Sequence, residues 1–253
     1  MIDADVFLKK PLPFKNLCIV YPPSINDVVD TKEFGFFINF LEMTQEDLED
    51  EYDDKKQFLE ERGLKIPTPF EYVLLNAYQD EELSFLFKKG FKFFIHEDVT
   101  FLPEIGKILI GNVEEEMQKI ENVEDLRFLT EDNFFDFQNL IRKSLGHKKI
   151  ESVEDLSQLH PKVARMKRLA RERDRVKAKQ IAKEAPPLGT LLTSICCMGI
   201  GLTPLNIGEI SYAAISEIIS TYQKKEKYGT DCTSLLMGAD AKKIGFKYWI
   251  NND

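Results

Sequence analysis

Histidine is scarce in this 253-residue chain, tryptophan scarcer, and arginine is almost confined to one place. Each shortage removes a class of function. The three histidines, His96, His147 and His160, stand in no zinc-type spacing with cysteine or with one another. The sequence therefore predicts no metal site, and nothing in it calls for a cofactor. The four cysteines are Cys18, Cys196, Cys197 and Cys232, with no CxxC among them, so reduced thiols are expected and not a disulfide framework. No HExxH, GxSxG or Walker loop occurs. Gly199-Ile200-Gly201 lacks the third glycine and the preceding strand of a dinucleotide loop. The acidic string from Tyr52 to Lys56 reads as part of a solvated helix and not as a nuclease core. His96-Glu97-Asp98 reads as a structural loop, with the edge of a site as the alternative. Cys196 and Cys197, within an apolar run, read as small hydrophobes. No positive case for an enzyme emerges.

Charge is also missing from one long stretch. Pro186 to Gly208 carries none over twenty-three residues, but three prolines and four glycines interrupt it. Its apolar centre, Leu188 to Leu202, is shorter than the roughly 20 residues of a membrane span. A buried helix is expected there, and no membrane association. The N-terminus, MIDADVFLKKP, has no basic start followed by an apolar run, so no signal peptide is expected.

What the chain has is enough apolar material for packed cores: 43% hydrophobic residues, nineteen of them Phe. It also has charge in blocks. Five of its eight arginines, Arg165, Arg168, Arg171, Arg173 and Arg175, lie within eleven residues. From Lys162 to Lys183 ten Lys/Arg face two acids, a balance of +8, while the whole chain stands at −9. From Glu42 to Glu61 ten acids face two lysines, a balance of −8. A guanidinium presents a rigid fork of donors to planar anions, which an ammonium does not. Three readings of the basic segment are open. It is a solvated connector whose charges offset the acidic segment, a docking helix for an acidic protein, or, third, a contact for nucleic acid. The last is weakened by the acidic remainder and by the lack of interleaved aromatics for base stacking.

Periodicity and punctuation give the elements. Leu17 to Tyr21 reads as a strand, with Ser24 capping the helix that follows. Phe34 to Thr44 reads as a buried helix, and Thr44 with Asp47 as a second cap. Pro67 and Pro69 open a helix with Phe70, Val73, Leu74 and Ala77 on one face. Phe91 to Gly111 reads as strand-rich, a hairpin broken at Pro103-Glu104 and Gly106. Two similar heptapeptides, IENVEDL from Ile120 and IESVEDL from Ile150, read as helix starts capped by Asn122 and Ser152. Between them an amphipathic helix ends at Gly146. The basic segment has a thin apolar stripe, Val163, Met166, Leu169, Ala170, Val176 and Ile181, and Pro186-Pro187 end it. An apolar helix (Leu188 to Met198) and a helix from about Asn206 to Gln223 complete the chain. The expected fold is α+β and predominantly helical. Its parts are an N-terminal domain with a small sheet (1–156), a basic connecting helix (157–186) and a small C-terminal helical domain (187–253).

Two stretches carry a resemblance. The opening KKPLPFKNLCIVYPPSINDVVD and the closing LTPLNIGEISYAAISEIISTYQKKEKY with GADAKKIGFKYWINND resemble tail assembly chaperones of phages of Gram-positive bacteria. The opening is similar to their strand, proline turn and helix. The closing is similar to their last helix, small-residue stretch, basic residues and aromatic-Trp-Ile tail. Together they cover about a quarter of the chain. At this length the chain is larger than many such chaperones, and Leu64 to Gly146 has no counterpart in the resemblance.

The resemblance implies binding without catalysis. Its implied partners are the tape-measure protein or tail tube protein during tail morphogenesis, in the host cytoplasm. The alternative it leaves is a permanent structural component of the tail or baseplate, present in the virion. A nucleic-acid-binding regulator is the third reading. The residues expected to meet a partner are Arg165, Arg168, Arg171 and Arg175 on the basic helix, and Tyr248, Trp249 and Ile250 in the tail. The opposed charge blocks also suggest self-association between copies.

Overall fold

Caps mark out the first half of the chain. In the computed structural model, which describes residues 2–112, 126–150, 186–246, 248 and ten positions between 162 and 184, three capping boxes start three helices of that half. They are Ser24 with Asp27, Thr44 with Asp47, and Thr68 with Glu71. In each, a hydroxyl accepts an orphan backbone N–H of the first turn and the acid accepts the cap's own N–H. The helices so begun are α2 (Ile25–Asp30), α4 (Gln45–Glu51) and α6 (Pro69–Gln79). A short α1 (Ala4–Phe7) precedes them, α3 (Phe34–Leu41) lies between α2 and α4, and α5 (Lys56–Glu61) follows a short turn of tighter helix.

Strands β1 (Leu12–Phe14) and β2 (Cys18–Val20) form an antiparallel ribbon in which Leu12 pairs with Val20 and Phe14 with Cys18. Alternation places Phe14, Cys18 and Val20 inward. Helix α7 (Glu81–Ile95) follows α6, capped by Asp80 and ended by His96 in the left-handed conformation. Strands β3 (Val99–Leu102) and β4 (Lys107–Ile110) make the hairpin expected around Pro103 and Gly106, and β5 (Phe128–Leu129) adds to β4.

Phe91 to Ile95 were expected in the strand-rich stretch, and here the structure corrects the sequence. They form the last turns of α7, and the strand begins only at Val99. A run of Phe and Ile has β-propensity in isolation, but Phe87, Phe91 and Phe94 recur at helical spacing. All three are buried. Phe91 stacks with Phe137 at 5.8 Å, and Phe87 meets Phe40 at 4.7 Å between ring centroids. Each buried ring stabilises by about 2–3 kcal/mol, which outweighs local preference. The approach of α3 to α7 needs Gly90, where an added Cβ would lie 2.6 Å from Cζ of Phe40.

Helix α8 (Glu131–Ser144) supplies Phe134, Phe137 and Ile141 to the same core, with Leu145 just beyond it. A second, smaller cluster gathers Ile25, Ile195, Ile207 and Ile215. Its helices are α9 (Leu188–Cys197) and α10 (Ala214–Leu236), and α11 (Ala241–Ile244) lies near the end. The helix expected from Asn206 to Gln223 is also corrected. Residues Ile207–Glu209 form a single tight turn, Ile210 is extended, and the long helix runs from Ala214 to Leu236. The reason is tertiary. The Ile25 N–H donates to the Ile210 carbonyl at 3.0 Å and the Tyr212 N–H to the Pro23 carbonyl at 2.9 Å, so these backbone groups are committed outside a helix.

The described fold is a predominantly helical α+β arrangement with sheets of two and three strands. Among the described residues no helix is long and apolar enough to cross a membrane, and α9 has ten residues. The expected helix starts at Asn122 and Ser152 lie outside the described residues.

Candidate partner-binding surfaces

The basic segment follows α8 and precedes α9. Its described positions, from Lys162 to Glu184, are all helical and all exposed. At 100° per residue they share one face of about 140°. That face carries Val163, Met166, Leu169 and Val176, with exposures of 46%, 64%, 42% and 61%, beside Arg173 and Lys177. The thin apolar stripe expected from the sequence is therefore exposed at every described position, Ile181 lying outside the described residues. Arg165, Arg168, Arg171 and Arg175 lie outside the described residues, as do Trp249 and Ile250.

The acidic segment is α4 and α5. One side chain of α4, Leu48, is fully buried and holds the helix to the core, while Asp47, Glu49, Asp50 and Glu51 are exposed. Asp53, Asp54 and Glu61 are exposed as well, and two large apolar side chains stand among them, Phe58 at 51% and Leu64 at 55%. Arg62 lies over the Phe58 ring at 4.2 Å. Half-exposed apolar groups among like charges are a partly apolar acidic surface, complementary in both respects to the basic helix face.

The tail meets α10. Tyr228 stacks on Phe246 at 5.4 Å and meets Tyr248 edge-on at 5.5 Å. Its hydroxyl is raised above the ordinary value first by a hydrogen bond with Cys232, then by desolvation. Tyr248, expected as a partner contact, is 51% exposed while its ring touches Tyr228. Beyond Tyr228 the helix has no buried residue, and it ends at Leu236 and Met237, which are 90% and 84% exposed.

Sequence reasoning missed the contact between the two ends of the chain. Ser24 and Ser211 form an isolated antiparallel bridge, and Asn26 donates to Glu209 at 3.1 Å. Gly208 lies directly under the exposed Asn26 amide, which a Cβ there would push aside. Phe34 meets Tyr212 at 5.5 Å, and Ile25 of α2 packs among Ile195, Ile207 and Ile215. Pairing between residues nearly two hundred positions apart leaves no periodic trace in either segment. Only the apolar Ile207 and Ile210 hinted at burial.

The remaining polar clusters explain themselves structurally. Glu42 is 11% exposed in its side chain and is held by Arg142 Nη1 at 3.1 Å and His147 Nδ1 at 2.6 Å. Glu97 receives a two-pronged ion pair from Arg127, which also donates to the Leu17 carbonyl. His96 lies flat on the Tyr21 ring at 4.1 Å. Beside these, burial pushes the Cys18 thiol up to about 12, Glu97 adding to the shift and Arg127 opposing it. Cys196, read as a small hydrophobe, packs against the smaller core, whereas Cys197, read the same way, is exposed. It lines an open groove of about 590 Å³ with Thr193, Met198 and Tyr222. Among the described residues no group of three His, Cys, Asp or Glu side chains is placed to hold a metal. No family model, curated protein or solved structure matches the chain.

Proposed function

We propose that this chain is a non-enzymatic tail assembly chaperone of a phage, binding tape-measure or tail tube protein in the host cytoplasm. The observation that carries the proposal is a meeting of segments. The two stretches that resemble such chaperones, the opening through Asp30 and the closing from Leu202, are joined in the fold through Pro23–Asn26 and Glu209–Tyr212. They form one backbone-paired unit with a shared apolar cluster, as two parts of a single binding module would.

The work of such a chaperone is to hold a long amphipathic helix and then release it. That calls for exposed faces of modest apolar content mixed with charge, since a wholly apolar interface would not let go. The face bearing Val163, Met166, Leu169 and Val176 beside Arg173 and Lys177 has that mixture. Charge there speeds encounter more than it adds affinity. Exposed Leu236, Met237 and Tyr248 offer a second contact at the far end of α10.

Affinity capture of the tagged chain from phage-infected cells, with mass spectrometry of the eluate and of purified virions, tests this reading. Tape-measure or tube protein in the eluate, with the chain missing from virions, is the expected result. Stoichiometric presence in virions would replace it with a permanent structural role in the tail or baseplate. Capture of nucleic acid without tail protein, lost as salt rises, would replace it with a regulator acting through the basic helix.

A further inference from the structure

We infer that this chain pairs with a second copy of itself, about a two-fold axis, across the uncharged surface formed by α9 and the loop after it. The inference does not rest on the tail-assembly reading. It begins with a conflict between sequence and structure. Pro186 to Gly208 carries no charge over twenty-three residues, the longest such run in a chain that is 30% charged. A run of that kind is expected in a core, yet only Ile195 and Ile207 are buried, and fourteen of the twenty-three residues are exposed. Surfaces lose their charged residues where they form the centre of an interface.

This face has a hollow and a projection that adjoin each other. The hollow is the groove of about 590 Å³ lined by Thr190, Thr193, Cys197, Met198 and Tyr222. From Cys197 and Met198 the chain runs directly into a loop that turns at Gly199 and Gly201, both at positive φ. Asn206 pins the loop. Its Oδ1 accepts the Thr203 N–H at 2.7 Å and its Nδ2 donates to the Gly201 carbonyl at 3.1 Å. On this pinned loop Ile200 is 44% exposed and Leu205 is 96% exposed. The hydroxyls of the groove make no demand on an occupant. Thr193 donates to the Gly189 carbonyl and Ser194 to the Thr190 carbonyl, each at 2.8 Å, so covering them strands no donor.

Charge and shape identify the occupant as a second copy. Two copies at −9 repel over most of their surfaces, and this face is where that repulsion is least. A strongly charged partner would find no counter-charge on it. The shape is self-complementary, because a pinned apolar projection and a neutral hollow share one face. A two-fold pairing uses both twice, with Leu205 of each copy entering the groove of the other. Burial of Leu205, Ile200 and Met198 supplies the attraction, which is non-directional and grows with the apolar area removed from water.

Sedimentation velocity of the full chain across protein concentration reads this directly. Wild-type protein should pass from monomer to dimer, and added salt should hold or tighten the dimer by screening the repulsion between acidic copies. Leu205→Asp should weaken association by about tenfold or more, and so should Thr193→Arg in the groove. Both positions are exposed, and circular dichroism of each variant checks that it folds. Mixing the two variants should recover part of the affinity, because one of the two contacts is then wild-type and the other joins opposite charges. Modification of Cys197 by a thiol reagent should slow as concentration rises and the groove fills. A wild-type chain that stays monomeric overturns the inference. So does a dimer that dissociates as salt rises, that either variant leaves unchanged, or that leaves Cys197 equally reactive. A mixture no tighter than either variant alone overturns it as well. Tail protein captured by a strictly monomeric wild-type chain, and lost with Leu205→Asp, would give this face to that partner. That outcome sinks the inference while leaving the proposed function standing.

Discussion

Ser24 and Ser211 face each other across an isolated antiparallel bridge, and their hydroxyls have opposite fates. Ser24 Oγ accepts the Asp27 N–H at 3.2 Å and donates to the Asp27 carboxylate at 2.7 Å. Ser211 Oγ is buried and, among the described residues, has no hydrogen-bond partner. One hydroxyl starts a helix and the other is carried at a cost. Ser24→Ala should therefore destabilise by about 1 kcal/mol. Ser211→Ala, which removes an unsatisfied group and keeps the bridge, should be neutral or stabilise by up to about 1 kcal/mol. Thermal melts of the two variants check the contrast, and equal losses would contradict it.

Gly90 and Phe40 set the distance between α3 and α7. Any side chain at position 90 presses on the end of the Phe40 ring. Gly90→Ala should cost about 1–3 kcal/mol in urea unfolding despite the better helix propensity of alanine. Adding Phe40→Leu should recover part of that loss, since the shorter side chain vacates the contested space. A double-mutant cycle with no coupling would show that the helices simply move apart.

Glu42 ties the end of α3 to the end of α8 through Arg142 and His147. Glu42→Gln keeps the shape and removes the charge that both partners face. Leaving Arg142 largely buried without its carboxylate should cost on the order of 2 kcal/mol. The readout is the shift of the urea midpoint at constant slope. A change of slope instead would mean that the native state itself had loosened.

Cys18 makes the fold sensitive to alkali. Its thiol is raised from 9.0 to about 12 in the folded chain, mainly by burial, so the folded state holds the proton after the unfolded state has released it. The unfolded chain then binds fewer protons between pH 9 and 12, and stability contributed by the neutral buried thiol falls as pH rises through that window. Cys18→Ala should flatten the alkaline limb of the stability profile. At pH 8 a thiol reagent should modify exposed Cys197 in the native protein, and Cys18 only after unfolding.

The caps at Ser24 and Thr44, the hairpin about Pro103 and Gly106, and the end of α8 before Gly146 were legible because each is local chemistry. A hydroxyl three residues before an acid, or a residue that tolerates positive φ, acts over one turn of chain. The exposure of the described part of the basic stripe was legible too, since six apolar residues in a thin line among ten cations cannot fill a core-facing stripe. The aromatic run from Phe91 to Ile95 was not, because its propensity and its burial disagree.

Composition and patterning by themselves determined a predominantly helical α+β protein with Phe-rich packing and two opposed charge blocks. Tertiary structure alone decided that Phe91–Ile95 finish a helix, that Ile210–Tyr212 leave helix to pair with Pro23–Ile25, and that Gly90 lies against the buried Phe40 ring with no room for a Cβ. The physical reason is range. Capping, turn and helical-period preferences are written in neighbouring residues, whereas a shared core and a bridge between residues 24 and 211 are settled only when distant segments exclude water together.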